Sequence, residues 1–449
     1  MNAVNLRKPL ILTVVASALV GSLVMNGVSA SAASDPGISS TEIVLGMQLP
    51  QTGPAAPGYN KVDDAARAYF DYVNSKGGVN GRSIKLEVEN DEYKAGLTIS
   101  TAKKLINDKK IFAFFGSVGT QTHLSVVKDI NRRGIPDLFV NSGYSGLYTD
   151  PKKYPNTFGG LGTYIVEAKI LGKYLKEKYA DKKIGILYQT DDFGRNVLAG
   201  LTASGLKFEA KKTAASFVAG TQRSIGLATQ IGQLKANGVD IVIVAAVASA
   251  TAFAFSTAAA LSYKPTKWAV ISVGSDATTF QTILGAGGVA PATSAAMLAG
   301  TISASHAPAP GDADDDYVKA FKKINDDFNK ATGAGKVWDN NVLQGMNLAY
   351  LATAALQGAG KDLTRAKLVS YLETNGSKLS SAAFSPLGYS TKTHEAFTGF
   401  WLGEYDATTV LKPLDGKRVV YTTDSGSGAV KVSIYKRPAI AADALPKVA

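Results

Sequence analysis

Hydrophobic positions along this chain follow two repeating patterns, one typical of buried strands and one typical of amphipathic helices. Residues 43–47 (IVLGM) and 111–115 (IFAFF) are apolar runs without polar alternation, which indicates strands buried on both faces of a parallel sheet. Residues 62–73 carry apolar side chains at three- and four-residue spacing, which predicts a helix. Strands that alternate with helices in this way predict βαβ units and a right-handed, doubly wound parallel sheet.

The pattern restarts after residues 158–162 (FGGLG), so the chain is predicted to form two α/β lobes. At 449 residues it is also too long for one typical globular core. The second series of predicted helices and strands covers residues 165–179, 183–188, 197–206, 225–236, 241–244, 249–261 and 268–273. Helices at 317–329 and 341–359 and strands at 397–402 and 430–435 are predicted after it. Two lobes of this kind predict a cleft between them, where ligand sites preferentially occur.

Small and hydroxyl-bearing residues follow two strands of the first series. Residues 116–120 (GSVGT) follow the strand at 111–115, and residues 141–144 (NSGY) follow a strand predicted at 136–140. In open α/β sheets, ligands bind at the carboxyl ends of strands. A helix that begins at such a strand end also presents backbone N–H groups to a polar ligand group. Residues 116–120 are therefore predicted to form half of a binding site.

Composition excludes several kinds of chemistry. The chain has no cysteine, which excludes thiolate metal sites, cysteine nucleophiles, disulfides and a lipid anchor on an N-terminal cysteine. With three histidines, a multi-histidine metal centre is not expected, and we predict neither a metal nor a cofactor. Lys and Arg total 48 against 36 Asp and Glu, but the excess is spread thinly and is not interleaved with aromatic residues. We therefore predict no binding to nucleic acid.

The first 33 residues have the features of a signal peptide. Arg7 and Lys8 form a basic start, residues 10–25 are largely apolar, and residues 28–33 (VSASAA) offer small-residue cleavage points. A retained single anchor helix is the alternative. Either way, the rest of the chain is expected outside the cytoplasmic membrane. A second apolar stretch, residues 241–261, is interpreted as a buried strand followed by a buried helix rather than as a membrane span.

Catalytic motifs are weak in this sequence. Residues 116–119 (GSVG) lack the spacing of a nucleophile elbow, and neither a dinucleotide-binding glycine motif nor a Walker A motif is present. Asp191 and Asp192 are adjacent carboxylates, but capping of the following helix is favoured over acid–base chemistry. Residues 314–316 (DDD) are likewise interpreted as a helix cap rather than as a calcium loop. An enzyme is therefore not predicted, and a secreted hydrolase is the less favoured alternative.

The first hundred residues after the leader resemble a known family. Residues 52–54 (TGP), 74–82 (NSKGGVNGR) and 90–91 (ND) stand, in this order around the first strands, as in the solute-binding proteins of branched-chain amino-acid-type ABC transporters. Further matches to the family lie at residues 115–117, 133–136, 191–194 and 386–389. The resemblance covers essentially all of the chain after the leader.

The resemblance implies a type I periplasmic-binding fold with two lobes joined by three crossings. Lobe one would comprise residues 34–160 and 304–395, and lobe two residues 161–303 and 396–449. It also implies a small-molecule ligand whose carboxylate is held by backbone N–H groups and hydroxyls at two strand ends of lobe one. The matching positions are Val118, Gly119, Thr120, Asn141, Ser142 and Gly143.

Two aromatic residues are candidates for contacts with the rest of the ligand. Phe193 matches an aromatic position that family members use after the first strand of lobe two, although it could instead be a core residue behind the loop. Tyr144 could stack on the ligand, or it could cover the loop from outside. Both alternatives stay open on the sequence alone.

The sequence departs from the family's amino-acid binders where those proteins hold the ligand's ammonium with a carboxylate. The corresponding segments, residues 245–248 (AAVA) and 272–275 (SVGS), contribute Ala246, Val247 and Ser275 and have no carboxylate before Asp276. Either Asp276 takes this role in a shifted register, or the ligand has no ammonium, which we favour because an unpaired buried ammonium is strongly disfavoured. The small residues at these positions leave room for a ligand that is bulkier and more apolar than leucine, such as an aromatic acid or a short organic acid with an apolar tail.

The sequence thus predicts an exported solute-binding protein that is not an enzyme. It is expected to close on a small organic acid or amino-acid-like ligand other than a standard branched-chain amino acid, and to deliver it to the membrane permease of an ABC transporter. A monomer is expected. The alternative is a ligand-sensing subunit of a membrane signalling system, which has the same fold.

Overall fold

The computed structural model describes residues 35–222, 226–333 and 337–448. The predicted signal peptide, residues 1–33, lies outside these ranges. Within them, no helix is long and apolar enough to cross a membrane.

The first sheet is parallel throughout, in the order β2-β1-β3-β4-β5. Its strands are β1 (Glu42–Leu49), β2 (Ser83–Asn90), β3 (Ala113–Phe115), β4 (Asp137–Val140) and β5 (Thr157–Gly159). The helices between them are α1 (Ala56–Tyr59), α2 (Val62–Ser75), α3 (Ala95–Asn107), α4 (Thr120–Leu124) and α5 (Val127–Arg132). In β3, Phe114 packs into the apolar cluster on one face of the sheet and Phe115 into the cluster on the other. Burial on both faces explains why this strand is apolar without alternation.

The second sheet begins as another parallel array, in the order β7-β6-β8-β9-β10. Its strands are β6 (Ile184–Gln189), β7 (Ala214–Phe217), β8 (Ile241–Ala245), β9 (Lys267–Val270) and β10 (Ile302–Ser305). The helices are α6 (Tyr164–Lys178), α7 (Asp192–Ala203), α8 (Ala228–Ala236), α9 (Ala248–Ala260), α10 (Ala277–Ala286) and α11 (Pro291–Leu298). The apolar stretch at 241–261 therefore forms a buried strand and a helix, as predicted.

The chain then returns to the first sheet. Three helices, α12 (Asp316–Thr332), α13 (Asn340–Gly358) and α14 (Arg365–Asn375), contribute apolar residues to the core that covers the first sheet. Helix α13 packs closely on α2, because a Cβ at Gly345 would lie 2.7 Å from the carbonyl oxygen of Val62. We use "first lobe" for the first sheet with α1–α5 and α12–α14, and "second lobe" for the second sheet with α6–α11.

The tail completes the second sheet with antiparallel strands. Strand β11 (Gly399–Tyr405) pairs with β10, and β12 (Leu411–Pro413) and β13 (Val420–Thr422) both pair with β11. Strand β14 (Lys431–Val432) pairs with β13 and is shorter than the predicted strand at 430–435. This arrangement, two doubly wound lobes with the chain passing between them, matches the predicted fold class.

Two lobe boundaries differ from the prediction. Residues 304–305 were assigned to the first lobe, but they belong to β10, which pairs with β9 and β11 of the second sheet. Residues 396–449 were all assigned to the second lobe, but the segment 440–448 packs against the core of the first lobe. There the hydroxyls of Tyr69 and Tyr72 donate to the carbonyl oxygens of Ala444 and Asp443, both at 2.7 Å.

Candidate ligand-binding cleft

A cleft lies between the two lobes, where the carboxyl ends of strands from both sheets come together. It holds a cavity of about 80 Å³, measured as the volume open to the centre of a water molecule, and it is partly open to solvent. Of the residues predicted as ligand contacts, the cleft is lined by Val118, Gly119, Asn141, Phe193, Val247 and Ser275. The strand ends of the first lobe meet because an isolated parallel bridge joins Val118 to Asn141 beyond the ends of β3 and β4.

The lining of this part of the cleft is uncharged, whereas the adjoining pocket, which shares Tyr93 and Val247 with it, is lined by Glu92, Lys94, Asp191, Asp192 and Arg195. Among the described residues that line this part of the cleft, none is an Asp, Glu, Lys or Arg. The polar contribution comes from amides, hydroxyls, one histidine and backbone groups, and the remainder is aromatic or aliphatic. An ionised group on a ligand would therefore depend on hydrogen bonds rather than on an ion pair.

Gly119 has a conformation that few other residues could adopt. Its φ is 110°, and an added Cβ would lie 2.4 Å from Oγ1 of Thr122 and 2.6 Å from Cε2 of Tyr93. The glycine thus allows the loop after β3 to turn sharply into α4 and lets the ring of Tyr93 lie directly over it. A side chain here would displace Tyr93, which itself lines the cleft.

The predicted anion-binding groups of this loop are only partly available. The backbone N–H of Val118 donates to the carbonyl oxygen of Gln48 at 2.8 Å, and that of Gly119 to the carbonyl oxygen of Asn141 at 3.3 Å. No described side chain caps the start of α4, so the first N–H groups of that helix, from Thr120 onward, are the donors left at this end. The backbone N–H groups of Val118 and Gly119 are therefore already used within the protein.

Five predicted contacts lie behind the lining or beside it. Thr120 and Ser142 are buried, and their hydroxyl oxygens lie 2.7 Å apart, so each satisfies the other. Ala246 is fully buried at the end of β8. Gly143 is packed against the segment before α6, since a Cβ there would lie 2.3 Å from the carbonyl oxygen of Gly162.

Tyr144 is the fifth of these residues. Its ring lies against Gly146 and packs with the apolar side chains under the following loop. It does not line the cleft, so the structure favours the alternative in which Tyr144 covers the loop from outside.

Aromatic rings from both lobes form the apolar part of the cleft. Tyr59 and Tyr93 come from the first lobe, and Tyr164 and Phe193 come from the second, with the Tyr164 and Phe193 ring centroids 4.6 Å apart. Burial raises the pKa of Tyr164 to about 12 and raises the pKa of Tyr59 and Tyr93 above their ordinary values, so these hydroxyls stay neutral. Phe193 packs in the core of the second lobe and also lines the cleft, so the two roles predicted for it do not exclude each other.

Tyr93 is held in place by an unusual turn after β2. Glu92 and Tyr93 have φ values of 51° and 60°, a region that non-glycine residues rarely occupy. The buried carboxylate of Asp91 stabilises this turn, accepting the backbone N–H of Tyr93 and the hydroxyl of Thr98, both at 3.0 Å. Strained backbone of this kind is often found at ligand sites.

The contribution of α13 was not predicted from the sequence. Four amide side chains at its start line the cleft: Asn340, Asn341, Gln344 and Asn347. Gln344 follows Asn340 by four residues and Asn347 follows Gln344 by three, and this helical spacing in an otherwise apolar helix was a signal that could have revealed them. His306, directly after β10, also lines the cleft, although the sequence analysis considered it only as a metal ligand.

Comparison with known proteins identifies the family. A family model described as "Periplasmic binding protein" matches residues 42–409. The chain belongs to this family. The match covers most of both lobes and confirms the resemblance and the type I fold predicted from the sequence.

Sequence relatives of this periplasmic binding protein match it over part of their length. A Leu/Ile/Val-binding protein, BraC3, of Rhizobium johnstonii is 25% identical over 173 residues, which are 38% of this chain and 46% of that protein. A leucine-, isoleucine-, valine-, threonine- and alanine-binding protein of Pseudomonas aeruginosa is 24% identical over 173 residues, 38% of this chain and 43% of that protein. The matched region thus spans less than half of these relatives.

Solved structures share the fold over most of the chain. A branched-chain amino acid ABC transporter protein from Thermus thermophilus with bound valine aligns with a TM-score of 0.73 at 17% identity, over 86% of this chain and 98% of that one. A fatty acid ABC transporter substrate-binding protein from Thermomonospora curvata aligns with a TM-score of 0.68 at 19% identity, over 92% of this chain and 95% of that one.

Asp276 of this periplasmic binding protein has a structural role. Its carboxylate caps α10, accepting the backbone N–H of Thr279 at 2.7 Å. Asp276 lines the pocket next to the cleft, which shares Ala309, Asn340 and Leu411 with it, and its neighbour Ser275 lines the cleft itself.

Proposed function

We propose that this protein is an exported solute-binding protein that closes around a small carboxylic acid with an apolar portion and delivers it to the permease of an ABC transporter. It acts as a monomer and carries out no covalent chemistry. Binding works by population shift, because a ligand that contacts both lobes stabilises the closed arrangement over the open one.

The uncharged lining of the cleft carries this proposal. A ligand ammonium buried there would have no carboxylate partner among the described lining residues, and an unpaired buried charge is costly. A carboxylate can instead be held by the neutral hydroxyl and amide donors of the lining. Standard amino acids are therefore disfavoured, whereas simple organic acids are acceptable.

The aromatic walls support an apolar portion in the ligand. Tyr59, Tyr93, Tyr164 and Phe193 bring large, rigid rings to the cleft from both lobes. Such rings recognise aromatic or aliphatic groups by burying apolar area. The neighbour described as a fatty acid ABC transporter substrate-binding protein, which spans 92% of this chain, agrees with a ligand of this class.

The test is a ligand screen on the purified protein by thermal unfolding, followed by calorimetric titration. The panel contains hexanoate, octanoate, benzoate and phenylacetate, with leucine and valine as amino-acid comparisons. We expect at least one simple acid to raise the unfolding temperature, because a ligand at one hundred times its Kd stabilises the folded state by about 2.7 kcal/mol.

Leucine is the decisive comparison within that screen. Leucine shares the carboxylate and an aliphatic side chain with the simple acids but adds the ammonium, so we expect it to give little or no shift. Tight binding of leucine would contradict the assignment of a ligand without an ammonium. A panel in which no acid shifts the transition would contradict the proposed function itself.

A further inference from the structure

Two buried polar side chains in the wall of the cleft lack hydrogen-bond partners. His306 is 7% exposed and Asn347 is 1% exposed, and both line the cleft. No hydrogen bond of good geometry joins either ring nitrogen of His306, which lies beside the side chain of Gln344, or the side-chain nitrogen Nδ2 of Asn347 to a described residue. A buried donor left without a partner costs about 1–3 kcal/mol, so such groups call for an explanation.

The imidazole ring of His306 is held in place by packing against other rings. His306 directly follows β10, where the chain leaves the second lobe. Its ring stacks on Phe397, with centroids 5.2 Å apart and planes 14° apart, and meets Phe400 edge to face at 5.9 Å. Its carbonyl oxygen accepts the backbone N–H of Phe384 at 2.8 Å. Packing thus fixes the imidazole without using its nitrogens.

Asn347 is fixed in a similar way by half of its amide. Its Oδ1 accepts the backbone N–H of Ala382 at 2.8 Å, which orients the amide and leaves Nδ2 free of protein partners. Gln344, one turn earlier on the same face of α13, is anchored by donating to the carbonyl oxygen of Gly160 at 2.8 Å. The protein therefore orients both side chains but satisfies only some of their polar atoms.

The free groups suit an uncharged oxygen. Burial lowers the pKa of His306 to about 4, so at neutral pH the ring is uncharged and offers one N–H donor and one acceptor nitrogen. Asn347 adds a further N–H donor. A second carboxylate on the ligand would have no positively charged partner among the described residues of this wall. A hydroxyl, keto or amide oxygen needs only these neutral partners.

We propose that this wall of the cleft binds a second, uncharged polar group of the ligand, and that His306 and Asn347 select it. The ligand class is then a carboxylic acid that carries a hydroxyl, keto or amide oxygen on its apolar portion. This inference rests on the proposed function, since it concerns the same cleft and assumes an acid ligand.

The experiment compares matched pairs of acids by calorimetric titration of the wild-type protein and of variants at position 306. The pairs are pentanoate with 4-oxopentanoate, hexanoate with 6-hydroxyhexanoate, and phenylacetate with 4-hydroxyphenylacetate. We expect the polar member of at least one pair to bind about tenfold more tightly, as a hydrogen bond to an otherwise unsatisfied buried group allows.

The substitution His306→Phe preserves the ring stacking and removes both nitrogens. It should abolish the preference for the polar member, measured as the ratio of the affinities for the two acids of a pair. His306→Gln, which restores a donor and an acceptor, should recover part of the preference. Circular dichroism and thermal unfolding check that both variants are folded.

A second measurement does not depend on any variant. In wild-type protein labelled with 15N-histidine, the polar acid should shift one imidazole resonance and the plain acid should not. The inference is overturned if the plain acids bind and no polar partner is preferred, or if the preference survives in His306→Phe. If no acid of either kind binds, the proposed function fails, and this inference fails with it.

Discussion

Glu167 shows how a single buried acid can position a ligand-lining loop. It is completely buried in the second lobe, and its carboxyl accepts the backbone N–H of Ser272 at 2.6 Å and the hydroxyl of Ser272 at 2.8 Å. Burial raises the pKa of Glu167 to about 8, because the charged form would have to leave water. Since Ser272 and Ser275 line the cleft, the protonation of Glu167 bears on the wall of the site.

Replacing Glu167 by Gln should change the pH dependence of stability. In the wild type, the stabilisation from the protonated carboxyl is complete below the unfolded-state pKa of about 4.5 and is lost as the pH rises to about 8. The amide of Glu167→Gln does not titrate. We therefore expect the variant to gain on the order of 3 kcal/mol relative to wild type between about pH 5 and about pH 8, measured by urea unfolding.

The matched control is Glu177→Gln on the same helix, α6. Glu177 is exposed and pairs with Lys173 one turn away, so its substitution should leave the difference from wild type nearly constant over the same pH range. A Glu167→Gln variant whose stability follows the wild-type pH profile would show that Glu167 is not protonated in the folded protein.

At the residue level, the sequence located the loops of the site but not the orientation of each side chain. Val118 and Gly119 could be predicted, because small residues after a buried strand indicate a ligand loop. Thr120 and Ser142 were expected at the surface of the cleft, but their hydroxyls pair with each other across 22 residues of sequence. His306 was missed because its position in the cleft depends on packing against Phe397 and Phe400, which follow it by some ninety residues.

Among the elements, those with a strong apolar pattern were predicted, and several with a weak pattern were not. Strand β8 and helix α9 were predicted from residues 241–261, where the apolar run is long. Strands β5, β7 and β10 are three or four residues long, with sequences TFG, AASF and ISAS, and none contains an extended apolar run. They form strands because neighbouring strands supply their hydrogen bonds, and the local sequence carries no information about those neighbours.

The position of the C-terminal segment could not be predicted from its sequence. After β14 it leaves the second sheet and reaches the first lobe, where Arg437 is one of its attachments. The guanidinium of Arg437 lies 4.8 Å from the ring centroids of both Tyr317 and Phe384, and it pairs with the carboxylate of Asp315. It also donates to the carbonyl oxygen of Ala382 at 2.8 Å.

Substituting Arg437→Ala should destabilise the folded protein by about 3 kcal/mol, because removing one partner of a buried ion pair leaves the other charge uncompensated. The carboxylate left behind, that of Asp315, is only 5% exposed and also caps α12. The measurement is the free energy of unfolding in urea.

The matched control for Arg437→Ala is Arg132→Ala. Arg132 pairs with Asp129 at the surface, with 71% of its own side chain exposed, and such pairs contribute less than about 1 kcal/mol. Equal effects of the two substitutions would mean that the C-terminal segment adds no more to stability than a surface ion pair does.

On the scale of the whole molecule, the two lobes touch at two separate places. The side-chain nitrogen of Asn196 in α7 donates to the hydroxyl of Ser145 in the first lobe at 3.0 Å. The hydroxyl of Thr279 in α10 donates to the carbonyl oxygen of Pro57 in α1 at 3.3 Å. These contacts identify the arrangement as a closed one, in which the ligand-binding surfaces of both lobes already face each other.

Neither Asn196 nor Thr279 lines the cleft, so substituting them tests closure apart from ligand contact. If the ligand binds the closed form, each lost hydrogen bond between the lobes shifts the equilibrium toward the open form by about 1 kcal/mol, or about fivefold. Asn196→Ala and Thr279→Val should each weaken binding of the tightest acid by up to that factor. Because the two contacts join different helices and share no residue, their effects in the double variant should be close to additive.

Small-angle X-ray scattering provides the readout that does not depend on a ligand. Without ligand, the double variant should have a larger radius of gyration than wild type, and a saturating acid should reduce this difference, because ligand binding favours closure. Thr282→Val is the control, since Thr282 lies on the same helix, is exposed, and donates its hydroxyl to the carbonyl oxygen of Thr278 within the helix. A double variant with unchanged affinity and unchanged dimensions would show that these contacts do not govern closure, and that the aromatic walls and the ligand alone hold the lobes together.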